Sequence, residues 1–385
     1  MTSTAPRAGT PRRYDVAIRG TGVVGLTLAL LLARDRLRVA LVGPRAAPTD
    51  TPDVRAYALN AAARQVLESV RAWPDDSASP PSVTPVHAMQ VWGDHGGELR
   101  FDAGVVGVPS LTWIVDVPAL EARLRDAVGF QAGIDWLDDA PPAALTVVCE
   151  GKHSRTRQAL GIEFDVKPYG HKAVAARLQA EQPHGGVARQ WFVQGQIMAL
   201  LPLGGALGNS VALVWSVPGE QADAWLAGPP QALADAVTER SHGVLGQLQM
   251  QSPAQAWPLE SSRARHWIAH TPSGSVALAG DAAHAMHPLA GQGLNLGLGD
   301  AAELARVLHG REYWRELGDA KLLRRYERAR QADVQAMAWL TEGLFGLFDH
   351  ADARVQALRN WGLSAFDRSG PLKRWLARQA MGPAL

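Results

Sequence analysis

Residues 14–42 restrict the fold more than any other stretch. Residues 14–18 (YDVAI) read as a strand, residues 26–33 as a helix and residues 38–42 (RVALV) as a second strand, with Gly20-Thr21-Gly22-Val23-Val24-Gly25 between the first two. G-x-G-x-x-G between a strand and a helix is the turn of a dinucleotide-binding βαβ unit. The first glycine makes the turn, the second lets backbone amides approach a pyrophosphate, and the third lets helix and strand pack closely. The expectation is a parallel α/β sheet, with Gly20, Gly22, Val24 and Gly25 at an anion seat. A glycine-rich turn without nucleotide is the competing reading. One part of the pattern is missing. An acid about 20 positions on should grip a ribose, yet the second strand runs into Gly43-Pro44-Arg45.

A second stretch, residues 280–300, reads GDAAHAMHPLAGQGLNLGLGD and follows the apolar run 275–279 (SVALA). That run reads as a buried strand, which puts Asp281 at its carboxyl end, where open α/β sheets bind ligands. A helix begins at the turn containing Gly291, Gln292 and Gly293, with Leu294, Leu298, Ala301, Ala305 and Leu308 on one face. Its first amides lack helical partners and form a seat for an anion or electron-rich oxygen. Gly297 and Gly299 each cost about 1 kcal/mol relative to Ala inside a helix, so the sheet or a ligand is expected to approach there.

This stretch resembles the second flavin-binding motif of the FAD-dependent aromatic hydroxylases, and HPLAGQGLNLG closely resembles the ubiquinone-biosynthesis flavin hydroxylase family within them. The resemblance implies an α/β fold: a Rossmann-like FAD/NAD(P)-binding domain, an inserted antiparallel β-sheet substrate domain of the para-hydroxybenzoate-hydroxylase type, and a helical C-terminus. It assigns residues 14–72, 101–165 and 259–350 to the FAD domain and residues 73–100 and 166–258 to the substrate domain. Residues 351–385 form the C-terminal segment, and residues 1–13 read as a disordered tail. Asp281 would hold the ribityl chain, and the backbone of Gly291, Gln292, Gly293, Leu294 and Asn295 would face the flavin. Pro288, Gly291 and Gly293 would line the place where substrate meets the ring. Arg55, in a run like the family's R-x-x-A-L, would lie beside flavin and pyrophosphate. Glu150 and Gly151 stand where relatives carry A-D-G, followed by Ser154 and Arg157 and then Leu160-Gly161-Ile162.

The departures from the family cluster on the adenosine side: Gly43, apolar Val117 where relatives place a polar contact, and Cys149-Glu150 for Ala-Asp. The interval 124–147 is also short for the usual auxiliary strands. FAD that is easily lost is the expectation, with Gly43→Glu restoring affinity. Residues 89–101 read as a hairpin, and the alternating runs within 169–203 and 211–217 as antiparallel strands roofing the flavin. Trp191 and Trp215 are either pocket walls or core. Helices are expected over 118–128, 322–330 and 337–348.

The resemblance further implies FAD as cofactor, NAD(P)H and O2 as co-substrates, and hydroxylation of an electron-rich ring, with a polyprenylated phenol or quinol on the way to ubiquinone as substrate. The alternatives are a hydroxylase of a soluble aromatic compound and a degenerate flavoprotein serving as scaffold in a ubiquinone-biosynthesis assembly. Composition narrows the remainder. A net charge of +1 over 385 residues points to no nucleic-acid partner, and the single cysteine excludes a disulfide framework. His284 and His287 lack the further ligands that zinc needs, so no metal is expected. Asp15 and Arg19 interrupt any signal sequence after Arg12-Arg13, and a cytoplasmic protein is expected. Residues 354–385 interleave six basic residues with Trp361, Phe366 and Trp375. Such a segment either lies peripherally on the inner face of the cytoplasmic membrane or packs on its own domain.

Overall fold

The computed structural model describes residues 14–45, 53–74, 81–93, 97–286 and 292–349. The expectations for residues 1–13 and 351–385 lie outside the described residues.

Short, largely apolar strands build the central sheet. Strands β1 (Tyr14–Arg19), β2 (Val39–Val42), β3 (Ile134–Leu137), β4 (Ala143–Val148), β5 (Ile268–Thr271) and β6 (Gly274–Leu278) lie in the order β5-β6-β4-β1-β2-β3. All pairings are parallel except the β5–β6 hairpin. Every residue of β2 is buried, as expected of a parallel strand covered on both faces. Helix α1 (Val23–Arg34) covers one face, its Leu26, Leu28 and Leu32 fully buried. Helix α2 (Gln292–His309) packs beside it, and helix α3 (Ala320–Asp349) packs on α2. The two helices expected over 322–330 and 337–348 are this one helix. Residues 331–336 (QADVQA) hold neither glycine nor proline to interrupt it.

A nine-stranded sheet, the cover sheet, meets the cleft at Ala285 of its edge strand His284–Ala285. Its spine is the 17-residue strand Phe164–Ala180, paired antiparallel with Gln255–Ala264 and Ser210–Pro218. The hairpin expected over 89–101 is present as Ala88–Trp92 against Glu98–Asp102. Val187–Val193 joins it in parallel, which alternation alone could not specify. Helices Gly219–Ala227 and Pro230–Arg240 pack on one face of the sheet, and Trp191 and Trp215 belong to that core, 3% and 2% exposed. The tryptophans are therefore not pocket walls: Trp191 stacks on Trp92 and Trp215 packs near Trp225. Between the two large sheets, Ala56–Leu59, Thr112–Asp116 and Val83–Val86 form a small third one. Arg177 ties the cover sheet to it, donating to the carbonyls of Val54 and Arg55 and pairing with Asp116 at 2.8 Å.

Candidate active site

The parallel strands all end on one cleft, which encloses ≈ 680 Å³. At its centre, β1 runs into Gly20, whose φ of +121° belongs to glycine and whose Cβ would sit 2.2 Å from the Cys149 carbonyl oxygen. Gly22, by contrast, has nothing within 4 Å of an added Cβ, so it is open to whatever fills the cleft. Helix α1 has no side-chain cap, which leaves its first amides to a ligand. Val24 lines the cleft, whereas Gly25 does not. A Cβ there would meet the Gly20 carbonyl oxygen at 2.0 Å, so Gly25 serves close packing of turn on helix.

Asp281 stands at the end of β6 in a short 3-10 turn, its carboxylate open to the cleft yet enclosed by protein on its other sides. That burial raises its pKa, and Asp300 adds to the effect while His284, Lys152 and Arg55 oppose it. Among the described residues it makes no hydrogen bond. Its turn is held from below: the buried Arg157 donates to the Ala282 carbonyl at 3.0 Å and to that of Lys152 at 2.8 Å, with its guanidinium over the Phe164 ring. Asp281→Ala should therefore remove a ligand contact without disturbing the fold. Leaving ribityl hydroxyls unpaired costs about 1–3 kcal/mol, which flavin titration by fluorescence quenching measures, with unchanged affinity as the contrary result.

Helix α2 presents Gly293 and Leu294 to the cleft. The Asn295 side chain turns elsewhere, accepting from the Asn60 amide (3.0 Å) and donating to the Ala58 carbonyl (2.9 Å) and the Gln292 side chain (3.2 Å). Asn295 and Gln292 thus strut the helix start against the 56–59 strand rather than lining the cleft. Pro288 and Gly291, and His287 with them, lie outside the described residues. The glycines inside α2 answer to close approach by the neighbouring helices. A Cβ at Gly297 would lie 2.7 Å from Val24 Cγ2 of α1, and one at Gly299 would lie 3.0 Å from Arg330 Nη2 of α3.

Arg55 lines the cleft, but Asp53 grips it at 2.6 Å and Glu121 lies 3.6 Å away. Gly151 lines the cleft with φ +76°. Glu150 also lines it, yet its carboxylate is taken: it accepts from Arg19 Nε (3.0 Å), Ser154 Oγ (2.7 Å), Thr156 Oγ1 (2.6 Å) and the Thr156 amide (2.9 Å). Burial would raise this carboxyl, but the Thr156, Ser154 and Arg19 bonds outweigh it and lower the pKa. Glu150 therefore fixes the loop after β4 while remaining on the cleft wall. The expectation for Gly43 is corrected. Its φ is +143°, its Cβ would meet Thr21 Cγ2 at 3.0 Å, and its carbonyl accepts from Trp136 Nε1 at 2.8 Å. A glutamate at 43 would be strained from its backbone outward, so no gain from Gly43→Glu is expected.

The structure brings in residues that sequence reasoning did not select. Tyr57, Glu121, Asp138 and Met286 line the cleft. Tyr57 stands two residues after Arg55, the spacing that shares a strand face; burial raises the pKa of its phenol. Behind the cleft, Asp300 is wholly buried and accepts from the Gly280 amide (2.8 Å), His284 Nε2 (2.7 Å) and Arg330 Nε (2.7 Å). The His284 ring stacks on Trp267 at 5.0 Å. No local signal announces this network, since its members stand 16 to 30 residues apart. Among the described residues no group of His, Cys, Asp and Glu could hold a metal.

An open cleft with an uncapped glycine-rich helix start, a second helix start and carboxylates at its rim fits a bound dinucleotide. A family model described as the FAD binding domain matches residues 141–341, which makes this a FAD-binding protein of the monooxygenase fold. The chain is 30% identical to the ubiquinone hydroxylase UbiL of Rhodospirillum rubrum over 99% of its own length and 92% of the relative's. It is 29% identical to the 3-demethoxyubiquinol 3-hydroxylase of Escherichia coli, over 96% and 98% respectively. Among solved structures it superposes on PqsL, a probable FAD-dependent monooxygenase from Pseudomonas aeruginosa, with a TM-score of 0.72 at 21% identity, covering 92% of this chain and 100% of that one. The chain belongs to the ubiquinone-biosynthesis flavin hydroxylases, FAD-dependent aromatic monooxygenases.

Proposed function

We propose that this monooxygenase hydroxylates the ring of a polyprenylated phenol or quinol on the way to ubiquinone. The observation that carries the flavin-site reading is the Asp281 carboxylate, open to the cleft alongside the first turn of α2. Bound FAD supplies electron transfer from NAD(P)H and the activation of O2. The protein's part is positional. The amides at Gly293 and Leu294 offer hydrogen-bond donors and the positive helix end to the electron-rich edge of the ring. Asp281 would accept from the polyol hydroxyls, and Gly22 would leave room for the diphosphate. The full-length likeness to ubiquinone hydroxylases supports the substrate class.

The test has two parts. The purified protein should carry flavin absorbance near 450 nm, a property of the cofactor itself, and a short-chain prenylated phenol should stimulate NAD(P)H oxidation and be recovered with one added oxygen. A simple soluble phenol that is hydroxylated while the prenylated one is not would overturn the substrate class.

The same reading places the protein in the cytoplasm, peripheral on the inner membrane face, and in contact with a ubiquinone-biosynthesis assembly. Its support is the basic and aromatic composition of residues 354–385. Among the described residues no helix is long and apolar enough to cross a membrane. Truncation after Ala353 should abolish sedimentation with anionic vesicles, each basic residue near the surface contributing about 1 kcal/mol. Unchanged sedimentation is the contrary result.

A further inference from the structure

The adenosine side of the cleft departs from the usual dinucleotide pattern at Gly43, where backbone conformation and Thr21 together disfavour any side chain. The neighbouring strand changes the picture. β2 and β3 run parallel with Val42 opposite Leu137, and the Gly43 amide donates to the Leu137 carbonyl at 3.4 Å. The residue after Leu137 is Asp138, which therefore stands beside Gly43 at the carboxyl edge of the sheet and lines the same cleft.

Of the carboxylates on this cleft, Glu121 is held by Arg125 at 2.6 Å and Glu150 by Arg19, Ser154 and Thr156. Two remain uncommitted. Asp281 follows β6 and Asp138 follows β3, and among the described residues neither makes a hydrogen bond or ion pair. The strand order β6-β4-β1-β2-β3 puts the Gly20–Gly22 turn, after β1, two strands from each of them. At the usual spacing between strands, the two acids stand about 19 Å apart along the sheet edge. FAD carries hydroxyls on both sides of its diphosphate: the ribityl chain on one side and the adenosine ribose on the other. One free acid at each end, with an anion seat between, matches that order.

We propose that Asp138 is the ribose-binding carboxylate of this site, accepting from the adenosine ribose hydroxyls of FAD at the end of β3 in place of an acid at the end of β2. The inference rests on the reading of the cleft as a FAD site. It also makes a prediction opposite in sign to simple electrostatics. An acid that merely lies near a diphosphate repels it, so its neutralisation would tighten FAD. A carboxylate bonded to the ribose does the reverse.

The experiment titrates apo wild type, Asp138→Asn and the adjacent control Asp139→Asn with FAD and with FMN, following flavin fluorescence. Loss of charge-assisted hydrogen bonds should weaken FAD about tenfold or more in Asp138→Asn. FMN, which has no adenosine ribose, should bind that variant as it binds wild type, and Asp139→Asn should leave both flavins unchanged. Asp138 is exposed, so thermal unfolding of the apoproteins should coincide. FAD affinity that is unchanged or tighter in Asp138→Asn overturns the inference alone, as does an equal loss for FAD and FMN. A wild type that binds neither flavin overturns the reading of the cleft and the inference with it.

Discussion

Asp300→Ala should destabilise the folded protein by about 3–5 kcal/mol, because removing one member of a buried ionic network leaves its buried partners without the bonds it accepts, Arg330 keeping only the exposed Asp333 and the Leu296 carbonyl. Arg330, 8% exposed at its side chain, would lose its 2.7 Å partner, and the Gly280 amide and His284 would lose theirs. The damage should reach the cofactor site, since Gly280 immediately precedes Asp281 and Arg330 also donates to the Leu296 carbonyl within α2. Denaturant unfolding of the apoprotein measures the stability term and flavin titration the site term. An Asp300→Ala protein as stable as wild type would show the network to be incidental. The pH dependence has a definite sign. Burial alone would raise the Asp300 carboxyl, but His284 and Arg330 outweigh it and hold its pKa below the ordinary value. A carboxyl depressed by folding stabilises fully above its unfolded pKa of about 3.9 and loses that contribution as pH falls through the lower folded value. The part of the stability gap that comes from the Asp300 carboxyl should therefore be fully present above about pH 5 and shrink in stronger acid.

Gly20→Ala should be nearly as damaging, and for a different reason. A φ of +121° strains any L-residue, and the new methyl would sit 2.2 Å from one backbone atom and 2.4 Å from another, neither of which can rotate away. Strain of about 1–3 kcal/mol and overpacking of about 1–3 kcal/mol would add, pushing β1 from β4 at the floor of the cleft. Gly22→Ala supplies the contrast. Nothing lies within 4 Å of its Cβ, so stability should hold while the methyl intrudes on the ligand's space. Chemical unfolding should separate Gly20→Ala from wild type, and FAD titration should separate Gly22→Ala. Equal stability of both variants would show that the turn is looser than its geometry indicates.

What could be read from the sequence was the chemistry set by neighbours along the chain. The β1–α1–β2 unit, the glycine turn and the placing of Asp281 at a strand end follow from short apolar runs and from conformations that glycine adopts cheaply. The cover-sheet strands followed from alternation, and the family followed from the wording of residues 280–300. What the tertiary structure alone decided is which polar groups are already spent. Glu150 and Asp138 look alike as acids near a strand end, yet Ser154, Thr156 and Arg19 occupy the first and leave the second open. Gly297 and Gly299 read as room for sheet or ligand and proved to be room for Val24 and Arg330. Trp191 and Trp215 could have faced either side, and two helices later in the chain chose the side for them. The sequence assigns the Asn295 backbone to the cleft and says nothing of its side chain, which Asn60 and Ala58, more than 230 residues earlier, hold. Hydrogen-bonding capacity belongs to the residue, but its satisfaction belongs to whatever folds against it, and those partners are distant in sequence.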